Sequence, residues 1–188
     1  MESVLKCCFI GHRNVDESDE IISLLNFVIS GLIKDFNVKI FSFGSRSMFD
    51  YICHKVVSGL KDKYTDIKRI AYTCRSETCV LEEKIEYWKE IYKSIYKKEV
   101  VLYGVEQEVD YETKYTSARA DYIERNKAMI DASDFCVFYY NENYKPTLRK
   151  KSKRDVSLYQ PKSGTKIAYE YAKKKGKKII NIYDLLNK

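Results

Sequence analysis

The chain has 188 residues, a mass of 22.2 kDa and a net charge of +7, from 34 Lys and Arg against 27 Asp and Glu. Apolar residues at 45% and aromatics at 14% exclude a disordered or fibrous protein, and 2 Pro with 7 Gly exclude a linker-built array. No apolar run approaches the ~20 residues of a membrane span. The length suits one domain over residues 1–188, and Met1-Glu2-Ser3 lacks the basic stretch of a secretory leader, so the cytoplasm is the expected compartment. The positive charge admits an anionic partner without naming one.

In chain order, Val4–Ile10 reads as a short apolar strand. Glu17–Phe36 follows as a helix that opens among Asp16, Glu17, Asp19 and Glu20, acids suited to a positive helix end. Val38–Phe43 is a second strand, and Ser47-Met48-Phe49-Asp50 has capping-box spacing that opens a second helix. Ile67–Thr73 is a third strand. Val80–Lys97 is a helix whose apolar Leu81, Ile85, Trp88, Tyr92 and Ile95 recur at helical spacing. Glu99–Gly104 is expected as the fourth strand, Thr116–Ala132 as a helix and Asp134–Tyr140 as the fifth strand. Thr165–Lys175 and Lys178–Tyr183 close the chain as helix and strand. This alternation predicts an α/β fold with a mainly parallel sheet of about six strands and helices on both faces. Ligands in such folds bind beyond the carboxyl ends of the strands, where the strand order reverses.

The cysteines carry no chemistry in this reading. Cys7, Cys8 and Cys136 fall in apolar strands, where a thiol packs as a small hydrophobe. Cys74 and Cys79 have no second Cys or His pair nearby to complete a zinc site. Reduced structural thiols are expected, with no metal and no cofactor.

Three loops repeat one chemistry. Gly11-His12-Arg13-Asn14 offers a turn glycine and a planar guanidinium suited to phosphate; an ordinary strand–helix turn with a surface arginine explains it equally. Gly44-Ser45-Arg46-Ser47 leads into a helix start that would favour an anion, the alternative being Ser47 as a cap and Arg46 solvated. Lys162-Ser163-Gly164-Thr165 repeats the pattern before the last long helix, though it is no P-loop. That helix places Ile167, Ala168, Tyr171 and Ala172 on one buried face and points Glu170 away from it. Arg125-Asn126, near apolar Ile123 and Met129, suits ribose or phosphate recognition, or else Arg125 pairs with a nearby acid. His12 and His54 pair with no evident nucleophile, and Tyr139 and Tyr140 stand near a strand end. Asn141–Lys162 has no periodic apolar set and carries Lys145, Arg149, Lys150, Lys151, Lys153, Arg154 and Lys162. It reads as a basic loop insertion that could cover the site as a lid.

Cys8-Phe9-Ile10-Gly11-His12-Arg13 resembles the opening motif of the YpsA-like branch of the SLOG superfamily. Phe43-Gly44, Phe49-Asp50 through Lys55 and Ile67-Lys68-Arg69-Ile70 are similar to the next part of that pattern. Arg125-Asn126-Lys127-Ala128-Met129-Ile130-Asp131 with Ser133-Asp134 resembles its fourth helix, and Ser163-Gly164-Thr165 with Ala168 and Tyr171-Ala172 its closing motif. The resemblance implies a Rossmann-like, doubly wound domain that binds nucleotide-derived ligands. Relatives include DNA-processing protein A, the LOG phosphoribohydrolases and sensor domains of bacterial defence that bind cyclic ADP-ribose isomers. The ligand-lining positions it implies are Gly11, His12, Arg13, Gly44, Asp50, Arg125, Asn126, Ser163, Gly164 and Thr165, to which the loop chemistry adds Ser45 and Arg46. Asp50 has an equal claim as a helix-start acid.

LOG enzymes carry acids two and three residues after the threonine of their closing motif. Here those positions hold Ile167 and Ala168, and Pro161-Lys162 replaces a doubled glycine. Binding of an ADP-ribose-type molecule, as a sensor or sequestering protein, is therefore expected ahead of N-glycosidic hydrolysis of a nucleoside monophosphate. Nucleic acid bound through the basic loop is a third, less favoured partner, and a second copy of the chain is compatible with the sequence.

Overall fold

The structure is a computed structural model that describes residues 4–44, 47–75, 77–111, 118–145 and 162–188. Six strands form one all-parallel sheet: β1 (Leu5–Gly11), β2 (Val38–Phe43), β3 (Lys68–Thr73), β4 (Gln107–Asp110), β5 (Phe135–Tyr139) and β6 (Lys178–Asn181). Their spatial order is β4-β3-β2-β1-β5-β6. Between and after them lie α1 (Asp19–Phe36), α2 (Met48–Leu60), α3 (Ile85–Tyr96), α4 (Ala118–Asp131), α5 (Gly164–Lys174) and α6 (Ile182–Leu186). The chain steps outward from β1 to β4, then crosses back to β5 on the other side of β1. That reversal makes the fold doubly wound and Rossmann-like, and its switch point lies between β1 and β5.

Adjacent cysteines show how β1 divides the core. Cys7 faces the layer formed with α1, α2 and α6, where Phe9, Phe41, Phe49 and Ile52 are fully buried. Cys8 faces the layer under α4 and α5, beside Ile10, Met129, Cys136, Phe138 and Ala172. Alternation with period two sends neighbouring side chains to opposite faces, and both faces are covered, so the strand reads apolar throughout. All six cysteines are free thiols.

The helix starts follow capping chemistry. Ser18 accepts the Ile21 N–H at the start of α1, and Asn37 in the left-handed region ends that helix. Ser47 accepts the Asp50 N–H at 2.9 Å while its hydroxyl donates to Asp50 Oδ2 at 2.6 Å. The expected capping pair is therefore formed.

Three elements differ from the sequence reading. The Val80–Lys97 helix begins only at Ile85, and Leu81 lies outside it in a bridge to Val105. Glu99–Gly104 is not a strand; the fourth strand is the polar Gln107–Asp110 at the sheet edge. An edge strand need not bury both faces, so it gives no apolar run to detect. The last strand stops at Asn181, and Ile182–Leu186 turns into the short α6. Of the basic stretch 141–162, only Asn141–Lys145 and Lys162 are among the described residues. No helix among the described residues is long and apolar enough to cross a membrane.

Candidate functional site

A cleft of about 480 Å³ opens beyond the carboxyl end of β1, at the switch point. Four elements build its walls: the turn after β1, the first turn of α2, the inward face of α4 and the start of α5. Of the residues expected from sequence, it brings together Gly11, Arg13, Asp50, Arg125, Asn126, Ser163, Gly164 and Thr165.

Gly11 is where the walls meet. A Cβ there would fall 2.5 Å from the Cβ and Cγ of Phe49, so only glycine lets α2 close onto the end of β1. Its carbonyl accepts the Thr165 hydroxyl at 3.0 Å, which ties α5 to the same point. The Arg13 carbonyl accepts the Met48 N–H at 2.9 Å, fixing the β1 turn to α2, while Arg13 itself is exposed and lines the cleft.

At α5, Ser163 caps the helix through its Oγ, which accepts the Lys166 N–H at 3.1 Å. Its carbonyl takes the Ile167 N–H at 3.1 Å. The amides of Gly164 and Thr165 are thus the first of the helix, at its positive end, and their residues line the cleft. A Cβ on Gly164 would meet nothing within 4 Å, so packing does not demand a glycine there. Arg119 and Lys162 add charge to the same wall and are joined, Arg119 Nη2 donating to the Lys162 carbonyl at 2.7 Å.

Asp50 and Arg125 bring a buried ionic cluster to the cleft. Arg125 donates from Nη1 to Glu77 Oε2 at 2.6 Å and from Nη2 to Asn126 Oδ1 at 3.1 Å. Arg125 pairs with an acid, as one of its two expectations had it, and the residue also lines the cleft. Asp50 lies beside it, with Oδ1 accepting the Gly44 N–H at 3.3 Å. Burial raises the Asp50 pKa above the usual carboxylate value, although Ser47, Arg125 and the Gly44 amide all favour the charged form. A Cβ on Gly44 would come within 2.9 Å of Arg125 Nη2, so this glycine admits the guanidinium.

His12 is placed elsewhere. It is 2% exposed, its Nε2 accepts the Asn141 N–H at 3.0 Å, and its ring stacks on Tyr144 at 3.9 Å. Tyr144 lines the cleft, whereas His12 packs behind it. Burial lowers the His12 pKa. Gly44 lines a neighbouring cavity, and Ser45 and Arg46 lie outside the described residues. Tyr139 packs between Phe49 and Tyr183, and Tyr140 stacks on Tyr169 at 4.5 Å.

Sequence reasoning missed Glu77, Tyr144, Arg119 and Tyr122. Glu77 carried one available signal, an acid just past the third strand on the binding edge. Among the described residues no group of three or more His, Cys, Asp or Glu is placed to hold a metal ion. Ala168 is buried and Ile167 half-buried, as the helical spacing predicts, and exposed Glu170 pairs with Lys162 at 2.9 Å. No family model matches the chain, and no curated protein matches it. Fold and cleft together define a Rossmann-like α/β protein with a cation-lined cavity at its switch point.

Proposed function

We propose that the cleft binds a nucleotide-derived small molecule of ADP-ribose or cyclic ADP-ribose type, and that the protein acts as a sensor or sequestering protein. One observation carries the reading: Arg13 and the first two residues of α5, Gly164 and Thr165, line the same cleft. A phosphate bound there would have a planar fork and a helix's positive end available to it. The resemblance of the closing and opening motifs to the SLOG pattern supports the same assignment. Calorimetry against ADP-ribose, AMP, NAD and cyclic ADP-ribose isomers tests it. Arg13→Ala should weaken binding by about 1.5–3 kcal/mol, and absence of binding to all four at millimolar ligand overturns the proposal.

Asp50 favours a second reading, N-glycosidic hydrolysis. It is a buried carboxylate on the cleft wall with a raised pKa, the kind of group that acid–base chemistry requires. Against it, both oxygens already accept protein hydrogen bonds, and the LOG acid positions hold Ile167 and Ala168. Incubation with nucleoside monophosphates and chromatography for free base decides between the two. Release of base that Asp50→Asn abolishes would establish the hydrolase.

A further inference from the structure

Beside the cleft lies a second cavity of about 290 Å³, and the two share Ser47 and Asp50 in their walls. Their chemistry is opposite. Arg13, Arg119, Arg125 and Lys162 line the first; among the described residues no Lys or Arg lines the second. The second is instead walled by rings: Phe43 from β2, Tyr51 and His54 from α2, Tyr92 from α3, and Tyr103 from the segment before β4.

We infer that this second cavity is a subsite for an uncharged nucleobase-like ring, with the sugar lying along the Ser47–Asp50 wall that it shares with the anionic cleft. Three features support it. The rings come from separate elements yet converge: Tyr51 and His54 each lie 5.9 Å from Tyr103, and His54 lies 4.7 Å from Phe43. Aromatic faces of this kind take any flat heterocycle by stacking. Second, His54 is uncharged at neutral pH, because burial holds its pKa at about 4, and the ring is fixed by Nε2 donating to the Gly104 carbonyl at 3.0 Å. Among the described residues the subsite therefore offers a neutral base nothing to repel it and a phosphate no cation. Third, the barrier between the cavities is thin. Gly44 lines the ring-walled cavity, and a Cβ on it would stand 2.9 Å from Arg125 Nη2 and 3.4 Å from Asp50 Oδ2. A molecule with a flat aromatic end, a hydroxylated middle and an anionic end matches this sequence of walls. The anionic half of the argument rests on the proposed function; the aromatic half does not.

The chain's one tryptophan, Trp88, lies 6.2 Å from Tyr92 and so reports on this cavity. Trp88 emission and calorimetry are followed while the full chain is titrated with adenosine, ribose 5-phosphate and AMP. Adenosine should change the emission saturably. Tyr103→Ala and the more exposed Tyr51→Ala should each weaken adenosine and AMP about tenfold and leave ribose 5-phosphate unchanged. Arg13→Ala should do the reverse, sparing adenosine. No saturable response to millimolar adenosine, with AMP affinity unchanged in both tyrosine variants, overturns the aromatic subsite. Failure of ribose 5-phosphate alone removes the anion site and leaves the aromatic one standing.

Discussion

Arg69 and Arg125 are the two buried arginines among the described residues, at 3% and 6% exposure, and their surroundings differ. Arg69, on β3, is closed in by its own protein. Its Nη1 donates to Ser58 Oγ at 2.8 Å, its Nη2 to Glu82 at 2.6 Å and Glu106 at 2.7 Å, and its Nε to Glu106 at 3.3 Å. Lys61 reaches the same Glu106 at 2.7 Å. Arg125 is held by Glu77 and Asn126, yet its residue forms part of a cleft wall. A saturated guanidinium fixes architecture. One set on the edge of a cavity fixes architecture and presents charge to whatever enters.

Substitution of the two arginines is the largest test of that contrast. Arg69→Met should cost about 3 kcal/mol of stability in urea denaturation, the low end for a buried pair, because Glu106 keeps Lys61 and Glu82 is nearly half exposed. Burial raises the Glu106 pKa, but hydrogen bonds from Arg69 and Lys61 outweigh this and hold it at about 2. Its contribution is complete above the ordinary value of 4.5 and is lost as pH falls toward 2, so Arg69→Met should also flatten the acid limb of the stability curve. Arg125→Met should lose ligand affinity as well as stability. Equal ligand affinity in correctly folded Arg125→Met and parent protein would break the comparison.

His54 sharpens it from the closed side. Burial is the main cause of its lowered pKa, with the Arg69 charge adding to it, and the folded value is about 4 against 6.5 for an ordinary imidazole. Between those values the unfolded chain takes up a proton that the folded one refuses. Stability is therefore full above pH 6.5 and falls as pH drops toward 4, by about 3 kcal/mol. His54→Phe should remove most of that dependence, read as urea midpoints at pH 7 and pH 4.5. An unchanged slope would mean that another group titrates there.

Most of the fold was legible because both faces at the centre of the sheet are covered: strands β1, β2 and β5 advertise themselves as apolar runs. The edge was not. Val101, Leu102 and Tyr103 look like a strand but wall the second cavity, while the true β4 is polar. The candidate cleft was legible where the chain places turns after strands, at Gly11, Arg13, Gly164 and Thr165. Glu77 and Tyr144 were not, because their roles exist only once distant segments meet: Glu77 with Arg125 of α4, Tyr144 with His12. Gly44 was read as a ligand-lining glycine; the structure adds a task that no turn signal announces, admitting the Arg125 guanidinium.

Two glycines of the cleft carry the contrast down to a single methyl group. At Gly11 a Cβ would overlap Phe49 at 2.5 Å, with that ring fully buried and unable to retreat. Gly11→Ala should therefore cost about 1–3 kcal/mol as overpacking, whatever the ligand. At Gly164 a Cβ meets nothing within 4 Å, and its φ is not in the left-handed region. Alanine there restricts the unfolded chain and suits a helix, so Gly164→Ala should raise stability by about 0.4–1 kcal/mol. The methyl would be added at the first residue of α5, on the cleft wall where the proposed phosphate approaches. Thermal melts and calorimetry on the same preparation thus separate the two readings of an unneeded glycine. A variant that is more stable and binds ADP-ribose or AMP less tightly marks an opening kept for a ligand. A variant that is more stable and binds as well as the parent marks a helix start with no phosphate on it, and the anion site would then have to be sought at Arg13 and Arg125 alone.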